Sequence, residues 1–234
     1  MIVLYRIYQI LIMAPIMLVA TVLTAITTIV FSLLGFGRSM GYWPEVIWSK
    51  IMCLIALVRV TVEGRENIDK RTSYVFVANH QSAYDIFTLF GYLGHNFRWM
   101  MKKELRKIPL IGLACESAKQ IFIDRSSPAA MRSSLRRAEG LLQGGMSVVV
   151  FPEGSRTKTG KVGTFKRGAF TLASEFNLPI VPLTISGAYA VMPSKNKLPL
   201  PGKIKLTIHK PIMPEEDMQA VIEKCREEII SSLE

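Results

Sequence analysis

The stretch Tyr74-Val75-Phe76-Val77-Ala78-Asn79-His80-Gln81-Ser82-Ala83-Tyr84-Asp85 changes character at its middle. Its first five residues, Tyr74 to Ala78, are an apolar run rich in aromatic and β-branched side chains, the pattern of a buried strand. From Asp85 to Leu93 the spacing predicts a helix. A strand passing straight into a helix is the repeating unit of α/β folds. Such folds place their ligands beyond the carboxyl ends of the strands, and His80 and Asp85 stand at that place. On one continuous helix, five positions turn through about 500°, so the two would face apart. With His80 in the turn and Asp85 in the first helical turn, the carboxylate can accept from one ring nitrogen and leave the other as a base. The pair taken alone also reads as a helix cap and a first-turn charge.

The same alternation continues to the C-terminus. Short strands are expected at Ile121–Ile123, Ser147–Phe151, Ile180–Ile185 and Lys203–Ile208. Helices are expected at Met131–Leu142, ending at Gly144-Gly145, at Phe165–Phe176 and at Pro214–Leu233. The chain thus predicts one α/β domain with a mixed, largely parallel sheet flanked by helices.

The N-terminal part is different. No charge occurs in residues 7–37, a run of 31 positions. At roughly 1.5 Å per residue a helix of that length reaches about 46 Å, beyond the roughly 30 Å hydrocarbon core of a bilayer. It must tilt, break or lie partly in the interface, and Pro15 is a candidate break. A second apolar segment, Val46 to Val58, has Trp43 and Trp48 near its start, residues that favour the headgroup level. The expectation is a two-helix membrane hairpin, joined through Gly35–Gly41 and occupying residues 1–60, ahead of a domain spanning 61–234.

Composition narrows the class. Half of the 234 residues are hydrophobic and the formal net charge is +11. A basic chain suits an anionic partner: nucleic acid, anionic lipid or a phosphorylated substrate. The apolar N-terminus and the lack of a nucleic-acid-binding motif exclude the first. Cys53, Cys115 and Cys225 lie far apart with no CxxC pair, so neither a disulfide framework nor a metal site is signalled.

A second site follows the strand Ser147–Phe151: Phe151-Pro152-Glu153-Gly154-Ser155-Arg156-Thr157. Gly154 allows close backbone approach, Arg156 can hold a phosphate through two parallel bonds, and Glu153 can orient Arg156, His80 or a substrate hydroxyl. A surface turn with an ion pair is the other reading. Gly154 to Val162 mimics a P-loop, but five residues separate its glycines and Val162 replaces the magnesium-binding hydroxyl, so nucleotide hydrolysis is rejected. No G-x-S-x-G elbow is present, which argues against a serine hydrolase. Basic clusters at Arg98, Lys102, Lys103, Arg106 and Lys107, and at Lys158, Lys161, Lys166 and Arg167, are solvated surface or a lining that attracts anionic headgroups.

In this order the motifs resemble the glycerophospholipid acyltransferase family, lysophosphatidate acyltransferases in particular. His80-x4-Asp85 is similar to its first motif, Phe122-Ile123-Asp124-Arg125 to the second, Phe151–Arg156 to the third and Val181-Pro182-Leu183 to the fourth. The third usually reads with Thr where Ser155 stands. The resemblance spans roughly Thr61 to Pro211. It implies that His80 deprotonates the 2-hydroxyl of 1-acyl-glycerol-3-phosphate as it attacks an acyl thioester, and that Asp85 orients the imidazole. It implies an acceptor-binding set of Glu153, Gly154, Ser155, Arg156, Arg125 and Lys102 or Lys103, with oxyanion donors either near Gly154 or on a basic side chain. No metal or cofactor is called for, the donor being acyl-CoA or acyl carrier protein. The expected setting is the cytoplasmic face of the inner membrane, with the lipid bilayer as partner. Glycerol-3-phosphate and a lyso-aminolipid are alternative acceptors, and a non-enzymatic membrane-binding protein is the alternative class.

Overall fold

The computed structural model describes residues 2–124, 126–127, 129–130, 133–134, 136, 140, 142, 145–196 and 198–233. The domain is built on a seven-stranded sheet: β1 (Val58–Glu63), β2 (Val75–Ala78), β3 (Phe97–Lys102), β4 (Ile121–Ile123), β5 (Ser147–Val150), β6 (Ile180–Ser186) and β7 (Gly202–Ile208). Its order is β1-β7-β6-β2-β5-β3-β4. Every pairing is parallel except β6 with β7, so the expected mixed, largely parallel sheet is present. β2 sits in the middle of that order, and all of Val75 to Ala78 is buried. A parallel strand covered on both faces reads as a continuous apolar run, which is why the sequence identified it. The helix foreseen at Met131–Leu142 falls largely outside the described residues.

Two strands were not foreseen. β1 alternates Val58, Val60, Val62 with Arg59, Thr61, Glu63, the pattern of a strand at the sheet edge. β3 carries Arg98 and Lys102, two members of the basic cluster. It buries Phe97, Arg98 and Trp99, and only its end reaches solvent. The Arg98 side chain, one of the largest fully buried ones, donates to Asn96 Oδ1 and to the carbonyls of Phe97, Gly37 and Arg38. Burial brings its pKa down to about 10, so it stays charged at neutral pH. It ties the end of the N-terminal helix to the sheet and does not face a headgroup.

That N-terminal rod consists of α1 (Ile2–Tyr8), α2 (Ala14–Phe31) and α3 (Gly37–Met40). Wider π-type turns at Gln9–Met13 and Ser32–Phe36 link them. Pro15 does not break the rod. It lies in the first turn of α2, and the wide turn before it takes up the missing N–H. The path bends at Gly35, whose φ of +92° is open to glycine at little cost. The span Val3–Met40, 38 residues, is long and apolar enough to cross a membrane, and most of it is uncovered.

The two helices do not stand apart as a hairpin. After the turn at Gly41, α4 (Trp43–Ile55) buries Val46, Ser49, Met52 and Cys53, a helical stripe, and packs on α5 (Tyr84–Tyr92) as well as α2. Each large apolar side chain so buried contributes about 1.5–3 kcal/mol. Its opposite face leaves Trp43, Ile47 and Leu54 open. Tyr5 and Tyr8 donate to the Ala56 and Ile55 carbonyls, and Gln9 to that of Pro199, so α1 is pinned to the domain as well. Among the described residues four further helices follow: α6 (Ile111–Ser117), α7 (Gly168–Glu175), α8 (Ala188–Val191) and α9 (Met218–Ser231).

Candidate active site

His80 follows β2 by two residues and Asp85 lies in the first turn of α5. His80 Nδ1 is 2.8 Å from Asp85 Oδ2. The same oxygen accepts the backbone N–H groups of Gln81 at 2.6 Å and Ser82 at 2.8 Å. An oxygen ringed by donors assigns the proton to Nδ1 and leaves Nε2 with its lone pair. Nε2 has no partner among the described residues, and His80 lines a cleft of about 970 Å³. Burial raises the Asp85 pKa, opposed by the hydrogen bond and charge of His80 and by the two backbone donors. Its other oxygen is buried without a partner among the described residues, so the carboxylate has one purpose, to hold the loop and the ring.

The loop is clamped on every side. The Asn79 amide bonds both backbone groups of Ile185 on β6. Gln81 Nε2 donates to Gly160 O, and Ser82 Oγ donates to Met192 O while accepting the Tyr84 N–H. Ser82 is thereby occupied structurally. The His80 ring stacks on Phe151 with centroids 3.8 Å apart and planes 8° from parallel, and Phe151 stacks in turn on Trp99 at 5.1 Å. Sequence reading missed this aromatic ladder. Its rings come from three different strands or the turns after them, and the motifs name His80 and Phe151 without pairing them, while Trp99 stood in none.

Glu153 reaches the loop from the end of β5. Its Oε1 accepts the His80 N–H at 2.8 Å and its Oε2 the Gly163 N–H at 2.9 Å. Burial raises its pKa, while those two N–H groups pull the other way. Glu153 does not line the cleft and contacts His80 through the backbone. The turn needs Gly154, whose φ is +79° and where a Cβ would meet the Lys166 side chain at 2.8 Å. The Gly154 N–H donates to Phe151 O, which removes it from the pool of oxyanion donors.

Gly154, Ser155, Arg156 and Lys102 line the cleft beside His80. Lys103 turns away: its ammonium pairs with Asp124 Oδ2 at 2.8 Å. The lysine hydrogen bond holds the Asp124 carboxyl well below the usual range. Arg125 lies outside the described residues. Lys158 and Lys195 also line the cleft; Lys195 belonged to no motif and gave no signal. The rest of the lining is largely apolar, with Ile86, Phe90, Trp99, Ile111 and Ala114, beside Glu45. Thr21, Thr24 and Ala25 of α2 form part of its wall. The N-terminal rod therefore helps to build the site as well as carrying it. Among the described residues no group of His, Cys, Asp or Glu is placed to hold a metal ion.

Comparison with known proteins agrees with this architecture. The chloroplastic 1-acyl-sn-glycerol-3-phosphate acyltransferase LPAT1 of Arabidopsis thaliana is 36% identical over 179 residues, 76% of this chain and 50% of that protein. The chloroplastic enzyme BAT2 of Brassica napus, of the same name, is 35% identical over 179 residues, 76% of this chain and 52% of that protein. The chain spans about half the length of these curated relatives. The crystal structure of the 1-acyl-sn-glycerophosphate acyltransferase PlsC of Thermotoga maritima superposes with a TM-score of 0.69 at 32% identity, covering 79% of this chain and 75% of that one. The Acyltransferase family model matches residues 59–186, more than half of the 234, from β1 to the end of β6 and across both strand-end loops. The chain belongs to the acyltransferase family.

Proposed function

We propose that the protein transfers a fatty acyl group from a thioester to the 2-hydroxyl of 1-acyl-glycerol-3-phosphate, forming phosphatidic acid. The observation that carries this reading is the His80–Asp85 pair at 2.8 Å, with Nε2 facing a cleft lined by basic and apolar side chains. Nε2 takes the proton of the acceptor hydroxyl as its oxygen attacks the thioester carbonyl. The carbonyl oxygen gains the charge, the carbon–sulfur bond breaks, and the thiolate leaves with a proton returned from the imidazolium. Asp85 stabilises that imidazolium, as a triad carboxylate does. No covalent enzyme intermediate is required, in keeping with the structural engagement of Ser82.

Arg156 and Lys102 are the groups assigned to the acceptor phosphate, with Gly154 and Ser155 in the turn beside them. Lys103 acts indirectly through Asp124, and Glu153 acts as a positioning residue. A role for Arg125 in shaping the acceptor site is carried over from the family resemblance alone. The apolar part of the cleft lining suits a fatty acyl chain. The donor is acyl-CoA or acyl-loaded carrier protein, and no further cofactor is invoked. The apolar rod supports attachment of residues 1–60 to a bilayer, with residues 61–234 as the catalytic domain. We place that bilayer at the inner membrane with the cleft facing the cytoplasm.

An acyl-transfer assay on purified protein tests the acceptor. Lysophosphatidate, glycerol-3-phosphate and a lyso-aminolipid are offered in parallel, each with both donor types. Turnover of lysophosphatidate above the others is expected. Product only from another acceptor would sink this assignment and keep the chemistry.

A further inference from the structure

The seam between α2 and α4 separates two cavities. On its inner side is the His80 cleft. On its outer side is an open apolar groove of about 700 Å³, with Val19, Ala20 and Leu23 of α2 facing Trp43 and Ile47 of α4. Thr24 and Trp48 line both cavities, so at those positions a single layer of side chains divides them. Two hydrogen bonds cross the seam. Trp48 Nε1 donates to Thr21 Oγ1 and Thr28 Oγ1 donates to Glu45 Oε1, each at 3.0 Å. The second Glu45 oxygen is buried with no partner among the described residues. A closed seam therefore leaves a polar group unsatisfied, which lowers the cost of opening it.

We infer that the outer groove is a binding site for the acyl chain of the lipid acceptor, and that the chain passes from bilayer to catalytic cleft through the seam, with Trp48 as its gate. The inference rests on the acceptor proposed above. Its support is that the two cavities share Thr24 and Trp48 as their dividing wall, and that α2 carries no charge. An acyl chain with an anionic head can slide its tail along such a route while the head stays beside Lys102 and Arg156. The latch also has a readable geometry. Thr21 and Thr28 lie two turns apart on α2 and meet Trp48 and Glu45, one turn apart on α4. Opening the seam requires these two contacts to part, together with the apolar packing of α2 on α4.

The test uses the full chain in phosphatidylcholine vesicles. Ala20→Phe and Ile47→Trp fill the groove from opposite walls, and neither residue lines the His80 cleft. Long-chain lysophosphatidate in the vesicle is compared with hexanoyl lysophosphatidate free in solution, with one thioester donor. Both substitutions are expected to raise KM for the vesicle-borne acceptor roughly tenfold, as loss of a buried apolar contact would, and to leave the soluble acceptor within about twofold. Thr21→Val, which removes the latch acceptor at constant shape, is expected to lower the vesicle KM. Equal losses on both acceptors would make the groove structural filler and overturn the inference. Loss of self-association in Ala20→Phe, with no vesicle-specific effect, would reassign the groove to a second copy of the chain and overturn it too. No turnover of either lysophosphatidate by the unmodified protein would instead overturn the acceptor assignment beneath it.

Discussion

Glu153 holds His80 by its backbone: the carboxylate accepts the His80 N–H at 2.8 Å while its other oxygen accepts the Gly163 N–H. The His80 ring is thus fixed from the main chain by Glu153, from Nδ1 by Asp85 and from its face by Phe151. Glu153→Gln replaces one acceptor by an amide that points hydrogens at a backbone donor. We expect kcat to fall roughly a hundredfold with KM for the acceptor nearly unchanged, because displacement of a reacting group by about 1 Å costs that much. Steady-state kinetics on Glu153→Gln decide this. A large rise in acceptor KM would return Glu153 to the binding set.

Asp85→Asn keeps the shape and one acceptor oxygen for the converging donors, and removes the negative charge that stabilises the imidazolium. By analogy with a triad carboxylate, kcat is expected to fall by roughly 10⁴ while the protein still folds. Product formation under saturating substrates measures it, and a loss below tenfold would remove the stabilising role.

Arg98 is expected to matter for stability and not for binding. Arg98→Met removes the guanidinium hydrogen bonds to the Gly37 and Arg38 carbonyls, which keep only the Gly41 N–H and the Asn96 amide as donors, and so loosens the end of the N-terminal rod. Hydrogen bonds to charged groups contribute about 1.5–3 kcal/mol each, so a substantial drop in thermal midpoint is expected. Acceptor KM measured below that midpoint should be unchanged.

His209 gives a pH dependence with a fixed sign. Its ring lies 2.8 Å from Thr184 Oγ1 and 3.3 Å from Glu228, and burial, outweighing Glu228, lowers its pKa below the ordinary 6.5. As pH falls through the ordinary value the unfolded chain binds a proton before the folded one does, so stability is lost toward acid and is fully present above it. The thermal midpoint should fall less between pH 7.5 and pH 5.5 in His209→Gln than in the unmodified protein. An equal fall would show that other groups set the dependence.

How much of this was legible depends on how local the signal is. β2, β5 and β6 are apolar runs four to seven residues long with every position buried, and the sequence pattern shows them directly. His80 and Asp85 are five positions apart, and one turn brings them together. β3 was obscured because Arg98 and Lys102 suggest surface, and it takes the α3 carbonyls folded over Arg98, with Asn96 Oδ1 and the Phe97 carbonyl, to make its burial tolerable. Glu153 had three candidate partners at the sequence level. The choice of the His80 backbone depends on the spacing of β2 and β5, which pair in parallel. The wall contributed by Thr21, Thr24 and Ala25 could not be read at all, since it joins residues some 60 positions from His80 across the whole molecule.

The most direct measurement is the rate of phosphatidic acid formation from lysophosphatidate and a labelled acyl thioester by purified protein, beside His80→Ala. The account predicts turnover by the unmodified protein and a loss of at least roughly 10³ in His80→Ala, which lacks the base. Vesicle sedimentation and thermal midpoint of the variant should be unchanged. Comparable product from His80→Ala, in a preparation free of other acyltransferases, would contradict it.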